Sequence, residues 1–195
     1  AERARAAGAR VLSLRPNRGK GAALKAGFEE ALGPSAQPPC DAILTLDGDG
    51  QHDPSEVPAL LKAWQDTGAD LVVGARDYLK MPPIRWFTNS LSKILFSWAV
   101  GQRVPDNQSG YRLRTRRLAE ADLASSETGF AFEVEEIAIC IGRGWGLAWV
   151  PIKTIYGTET SDIKPWSHFT GFIRVTHRAR KRVRRERAAS NGSAP

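Results

Sequence analysis

An apolar run, Ala42-Ile43-Leu44-Thr45-Leu46, ends abruptly at Asp47-Gly48-Asp49-Gly50-Gln51-His52-Asp53-Pro54, and a helical pattern begins directly behind it. Five apolar or β-branched residues bounded by a turn read as a buried strand. Asp53 stands where an N-cap belongs, with Pro54 at the first helical position and Glu56 three residues after the cap, as in a capping box. Val57, Leu60, Leu61 and Trp64 then repeat at helical spacing, and Thr67-Gly68 closes the helix. Asp47 and Asp49 therefore lie at the carboxyl end of a buried strand. There an α/β protein can hold a divalent cation against a diphosphate. Asp-Gly pairs also serve as plain solvated turns.

The same alternation flanks this unit. Residues 1–9 read as the end of a helix, Val11-Leu12-Ser13-Leu14 as a short strand, and Pro16–Gly21 as a loop. Ala22–Leu32 reads as a helix with Leu24, Phe28, Ala31 and Leu32 on its apolar side, ended by Gly33-Pro34. Leu71-Val72-Val73-Gly74 is a third strand, running out at Ala75-Arg76. Strand–helix–strand–helix–strand at this spacing predicts parallel pairing through right-handed crossovers. The fold class is α/β with a mostly parallel central sheet and flanking helices. Ligands of open α/β sheets bind beyond the carboxyl ends of the strands, so the Asn17–Gly21 loop, the Asp47–Gln51 loop and Arg76 are expected to share one cleft.

Beyond Arg76 the pattern loosens. Residues 81–101 read as an apolar helix, 106–114 as a loop entering a short strand, 130–141 as a helix, and 147–152 as a strand. From Lys164 onward a helix runs into a basic segment, and 188–195 are expected to be disordered. The chain of 195 residues suits one domain, here 1–173 followed by a tail of 174–195. The net charge of +7 is concentrated: residues 174–187 hold eight basic side chains and one acidic, leaving 20 of each elsewhere. Such a tail is a solvated extension or a partner for an anionic surface. Cys40 and Cys140 lack metal or redox spacing and read as buried or free thiols of a cytosolic protein. No secretory leader pattern is present, and no run approaches the ~20 apolar residues that span a bilayer.

Counted from Asp47, an EF-hand would need Gly and Glu where His52 and Pro58 stand, so that reading fails. Asp49 and Gln51 instead offer oxygens on one side of an extended turn, suited to Mg²⁺ or Mn²⁺ with positions left open for phosphate. Asn17-Arg18-Gly19-Lys20-Gly21 lacks Walker spacing but opens a helix, where Lys20 or Arg18 could neutralise phosphate; glycines serving only a turn fit equally. Asp106-Asn107-Gln108-Ser109-Gly110-Tyr111-Arg112 gathers an acid, amides and a base around a turn. Glu133, Glu135 and Glu136 lie on one predicted helix, a solvated face unless one points into a cleft as a base.

Together these segments resemble the family-two glycosyltransferases, in the branch of dolichyl-phosphate mannose synthase and bacterial polyprenyl-phosphate glycosyltransferases. The matching pieces are Asn17–Gly21, Leu46–Pro54, Asp70–Arg76, Asp106–Arg112, and Tyr156-Gly157 with Ser161, in the family's order. The resemblance implies a GT-A fold, a GDP- or UDP-sugar donor, a divalent metal, and inversion at the anomeric carbon. It implies metal ligation by Asp49 and Gln51, with Asp47 on the nucleotide side or the metal. Lys20 and Arg76 would contact donor phosphates, and Arg85, Asn89 and Arg112 a lipid-phosphate acceptor. A phosphate acceptor needs no general base; for a hydroxyl acceptor the candidates are Asp106 and Glu133. The family's pattern begins with a Pro-x-Tyr-Asn-Glu strand and an Asp-Gly-Ser turn that do not precede Val11. The resemblance thus implies an N-terminally truncated chain with an unpaired sheet edge and little or no transfer by these 195 residues alone.

The apolar segment 81–101 and the basic tail together suggest a peripheral protein on an anionic cytoplasmic membrane face. Three rival readings are a nucleic-acid binder using the tail, a nucleotidyltransferase, and a non-catalytic scaffold of the same fold. The neutral body and the lack of an aromatic-basic motif argue against nucleic acid. A glycine-rich signature near the first strand is missing for the nucleotidyltransferase.

Overall fold

The computed structural model describes residues 1–34, 36, 39–76, 83–129, 131–153, 155 and 165–192, with the backbone alone for 83–89, 165–172 and 190–192. Met81, Phe130, the Tyr156-Gly157 pair, Ser161 and Lys164 lie outside the described residues. In chain order the elements are α1 (Glu2–Ala6), α2 (Lys20–Leu32), β1 (Ala42–Thr45), α3 (Val57–Thr67), β2 (Leu71–Arg76) and α4 (Pro83–Val100). There follow β3 (Arg112–Thr115), α5 (Arg116–Leu123), α6 (Phe132–Gly142), β4 (Leu147–Ile152) and α7 (Pro165–Gly192).

The strands form one mixed sheet in the order β1-β3-β2-β4. β2 and β4 are parallel, with Leu71 opposite Leu147 and Arg76 opposite Ile152. β3 runs antiparallel to both β1 and β2. β1, β2 and β4 thus point the same way, as the alternation predicts, but β1 and β2 are not neighbours because β3 lies between them. A strand arriving from 70 residues downstream leaves no local pattern that could announce this insertion.

The expected strand at Val11–Leu14 has no ladder here. Leu12 and Leu14 are 48% and 38% exposed, and β1, on whose side they lie in sequence, pairs only with β3 among the described residues. A short apolar run becomes a strand only when a neighbouring edge satisfies its backbone.

Side-chain alternation distributes the strands between cores on the two faces. Leu71 and Val73 face Phe96 of α4, Ile137 of α6 and Val183 of α7. Val72, Leu113 and Leu44 face Leu60 and Trp64 of α3. Ile43 joins Phe28 and Phe132 in a smaller cluster with α2.

Local signals are largely obeyed. Asp53 caps a 3-10 turn at Pro54–Glu56 by accepting the Ser55 N–H at 2.9 Å, and α3 continues from it. Gly68 ends α3 in the left-handed region (φ 61°). The capping box does not close: Glu56 accepts instead from the Lys153 N–H at 2.9 Å, linking this turn to the chain just after β4.

The basic segment is not a loose tail. α7 is helical through Gly192, packs along α6 and α4, and buries Ala179 and Val183 in the main core. Cys40 and Cys140 are free thiols, and Cys140 is buried. Among the described residues no helix is long and apolar enough to cross a membrane.

Candidate functional site

The Asn17–Gly21 and Asp47–Gln51 loops do converge. The Lys20 ammonium lies 2.6 Å from Asp47 Oδ1 and 2.8 Å from Glu133 Oε1. Burial opposes the lysine's charge, and the two carboxylates more than offset this, so its pKa is raised above 10.5.

The glycines flanking Lys20 explain how it gets there. Gly19 has φ 95°, and a Cβ on it would meet the Thr128 carbonyl oxygen at 2.6 Å. A Cβ on Gly21 would lie 2.8 Å from the Thr128 carbonyl carbon and 2.9 Å from Phe132 Cβ. The start of α2 is thus pressed against the segment that leads into α6, with the Ala22 N–H donating to Thr128 O at 3.0 Å. The glycines serve close backbone approach, and Lys20 is carried between Asp47 and Glu133 as a result.

The aspartate loop is fixed from inside the protein. His52 is buried, stacks on Tyr111 with centroids 5.0 Å apart, and accepts the Asp47 N–H on Nδ1 at 3.0 Å. Nδ1 therefore carries no proton, and burial lowers the imidazole pKa, consistent with a neutral ring. Tyr111 Oη donates to Asp53 O at 3.1 Å, and the Ile155 N–H donates to Gln51 O at 3.1 Å. Asp49 itself is exposed, with Oδ1 accepting the Gln51 N–H at 3.0 Å. A Cβ on Gly110 would fall 2.4 Å from Asp47 Oδ2 and 2.6 Å from Cγ, so the carboxylate keeps this position only against a glycine.

Arg76 reaches this region through the same 106–110 turn. Its Nε lies 2.7 Å from Asp106 Oδ2 and its second terminal nitrogen 3.0 Å from Oδ1, a two-point grip. Asp106 is fully buried and also accepts the Gln108 and Ser109 N–H groups at 3.0 and 3.2 Å. Its carboxylate is committed to holding Arg76 and the turn, a poor arrangement for a general base. Glu133 is 4% exposed and committed to Lys20.

Arg112 is placed differently from the acceptor contact suggested by its motif. It is 0% exposed, and its guanidinium donates to Glu136 Oε2 at 2.7 Å and to the carbonyls of Ser109, Glu133 and Asn107. It ties β3 to α6, which positions Glu133. Arg114, equally buried, grips the other oxygen of Glu136 and stacks over Phe28 at 4.6 Å. Burial raises the pKa of Glu136, but the Arg114 and Arg112 guanidiniums outweigh it and hold the carboxyl down at about 2. Burial and the Glu136 charge push the nearby Asp122 carboxyl well up. Arg114 carries no motif signal of its own, and Glu136, one of three acids on a helix that reads as a solvated face, is in fact buried against it. The available hint was charge at alternate positions of a strand, Arg112 and Arg114 flanking Leu113, which on a half-buried sheet demands an acidic partner. Arg85 and Asn89 fall in α4, and their side chains lie outside the described part.

For a divalent cation the donors here are the Asp47 and Asp49 carboxylates and the Gln51 amide. No group of three His, Cys, Asp or Glu side chains suited to a metal gathers among the described residues. An all-oxygen set of so few ligands suits a hard ion that takes its remaining positions from phosphate and water. Asp49 is exposed and has no ion pair among the described residues, so its carboxylate is open to such an ion, whereas Asp47 is engaged by the Lys20 ammonium.

Comparison with known proteins agrees with this geometry. Residues 1–136 match the family model for glycosyl transferase family 2. A polyprenol monophosphomannose synthase of Mycolicibacterium smegmatis is 32% identical over 142 residues, 69% of this chain and 51% of that protein. An undecaprenyl-phosphate mannosyltransferase of Micrococcus luteus is 31% identical over 155 residues, 74% of this chain and 60% of that protein. The chain thus spans roughly half to three fifths of these relatives. Glucosyl-3-phosphoglycerate synthase of Mycobacterium tuberculosis, solved with uridine diphosphate, superposes with TM-score 0.67 at 20% identity, covering 92% of this chain and 64% of that one. The same synthase with Mn²⁺, uridine diphosphate and glucosyl-3-phosphoglycerate gives 0.60 at 20% identity, covering 89% and 60%. These structures share the GT-A fold with this sheet, and the match across 1–136 carries the lineage: the chain belongs to glycosyl transferase family 2.

Proposed function

We propose that this chain carries the donor site of an enzyme that moves a sugar from a nucleoside diphosphate onto a polyprenyl phosphate, with inversion at the anomeric carbon. The observation that carries this reading is the meeting of Lys20, Asp47 and Glu133 beside the exposed Asp49, at the carboxyl end of β1. Asp49 and Gln51, with Asp47 behind them, would hold Mg²⁺ or Mn²⁺. Bound there, the ion would offset charge on the departing diphosphate.

The protein's own groups do the rest. Lys20 adds positive charge at the rim and keeps Asp47 oriented. Arg76, held as a fork by Asp106, adds positive charge toward the donor phosphates. The acceptor phosphate attacks C1 already ionised, so Asp106 and Glu133 act as positioning residues. Arg85 and Asn89, on the first turns of α4, are assigned to the acceptor phosphate. The relatives named for polyprenol and undecaprenyl phosphate support that acceptor class.

Membrane contact fits the exposed side of α4. Ile94 and Trp98, one turn apart, are 66% and 69% exposed, and the Arg180 guanidinium lies 4.6 Å from the Trp98 ring centroid. An apolar pair edged by cations suits the interface of an anionic bilayer.

Thermal unfolding with nucleoside diphosphate and Mn²⁺ tests the donor site. Wild type should melt several degrees higher with both present, and Asp49→Ala should lose this gain while keeping the unliganded melting temperature. Protection that survives Asp49→Ala rejects the assignment.

A further inference from the structure

A cavity of about 530 Å³ opens between α6 and α7, lined by none of Lys20, Asp47, Asp49 or Glu133. Its cationic wall is one face of α7: Arg178, Lys181, Arg182 and Arg185 line it at spacings of three, four and seven residues. Opposite stand Glu127 and Glu135, and Val134, Val175 and Ala179 give an apolar lining.

The charges do not cancel. Arg178 pairs with Glu127 at 2.6 Å, and Arg182 lies 3.7 Å from Glu135 and 2.9 Å from Glu186. Arg182 Nε is nonetheless buried without a hydrogen-bond partner, the Glu186 contact lacking hydrogen-bond geometry. Lys181 and Arg185 are exposed on the rim and have no ion pair among the described residues. The lining therefore carries four cations against Glu127 and Glu135, with Glu186 behind Arg182 as a third carboxylate, which leaves Lys181 and Arg185 in excess beside an apolar lining.

We propose that this groove is a binding site for a phosphate group, separate from the donor cleft. Phosphate supplies several acceptor oxygens to cations arrayed on one helix face. The volume falls within the usual range for small-ligand sites, and the apolar lining accommodates a short hydrocarbon or ester portion beside the phosphate. The phosphate could belong to a lipid headgroup or to a soluble compound. The groove also shares a wall with the donor site. Segment 125–129 lines the groove through Ser126 and Glu127, and Ala131 joins them. Its Ser125 and Thr128 carbonyls accept from Lys25 Nζ and the Ala22 N–H on the α2 side.

The test is thermal unfolding of the full chain in chelator, carrying Asp49→Ala so that the donor cleft is silent. The two probes are inorganic pyrophosphate and dihexanoyl phosphatidate. At about 100 times Kd the melting temperature should rise by about 5–10 °C. Lys181→Glu with Arg185→Glu should abolish the rise. Arg184→Glu with Arg187→Glu, an equal charge change at exposed α7 positions outside the lining, should retain it. Tighter binding of phosphatidate assigns a lipid source, and equal binding assigns free phosphate. No rise with either probe, or equal loss in both double variants, overturns the proposal.

Discussion

Gly110→Ala isolates the placement of Asp47 from the stability of the fold. The new methyl carbon would start 2.4 Å from Asp47 Oδ2, against 3.4 Å for an ordinary contact, so the carboxyl must retreat by about 1 Å. Asp47 is short, and the Asp47 N–H is anchored to His52, so the side chain has to rotate away while the loop stays in place. The 2.6 Å contact with Lys20 is then lost. Both partners are partly exposed, so the stability cost should stay below about 1 kcal/mol after solvent screening. The functional cost should be much larger, since a displacement near 1 Å in a reacting constellation can lower rates by about 10²-fold. Urea unfolding should therefore show a nearly unchanged midpoint, whereas Mn²⁺-dependent binding of nucleoside diphosphate, measured by calorimetry, should weaken at least tenfold. Wild-type affinity in Gly110→Ala would refute the argument, because it would mean that the position of Asp47 does not matter to the donor.

Glu136→Gln should destabilise the fold by about 3–5 kcal/mol in urea unfolding, because two buried guanidiniums lose their shared carboxylate; a loss under 1 kcal/mol would refute this. Because the folded Glu136 pKa is depressed to about 2, its contribution is complete above the unfolded value near 4.5 and is lost as pH falls from there toward 2. Acid unfolding should track that window in wild type and lose its Glu136 component in the glutamine variant. His52 also has a lowered folded pKa, so its contribution is present above pH 6.5 and lost below it. Stability measured between pH 7 and 5 should fall in wild type and flatten in His52→Asn, and parallel curves would reject that role. On anionic vesicles, Trp98→Glu should reduce co-flotation of the chain; wild type that stays in solution, or a variant that floats equally well, rejects the α4 face as the membrane contact.

Some of this protein could be read from single segments. Val57, Leu60 and Trp64 with Gly68 announced α3, and Asp53 capped its first turn as expected. The meeting of the 17–21 and 47–51 loops followed from strand polarity alone, since parallel strands deliver their following loops to one edge. What failed, failed for non-local reasons. Val11–Leu14 has the composition of a strand but no edge to pair with among the described residues. Glycines at 19, 21 and 110 look like turn residues, yet their reason lies in Thr128, Phe132 and Asp47, partners between 63 and 111 positions away. The basic stretch from Arg174 resembles a solvated tail because its eight cations mask Ala179 and Val183, which anchor it in the core.

The amino-acid order by itself therefore determined the α/β class, the edge of the sheet that carries the site, and the oxygen-rich loop that suits a hard cation. Those depend on side-chain period and strand direction, which are local properties. Tertiary structure alone decided that β3 enters between β1 and β2, that Arg112 serves the interior, and that Lys20 bridges Asp47 to Glu133. Each of these is settled by contacts between distant parts of the chain, where burial strengthens charge pairing and leaves room for one arrangement of side chains.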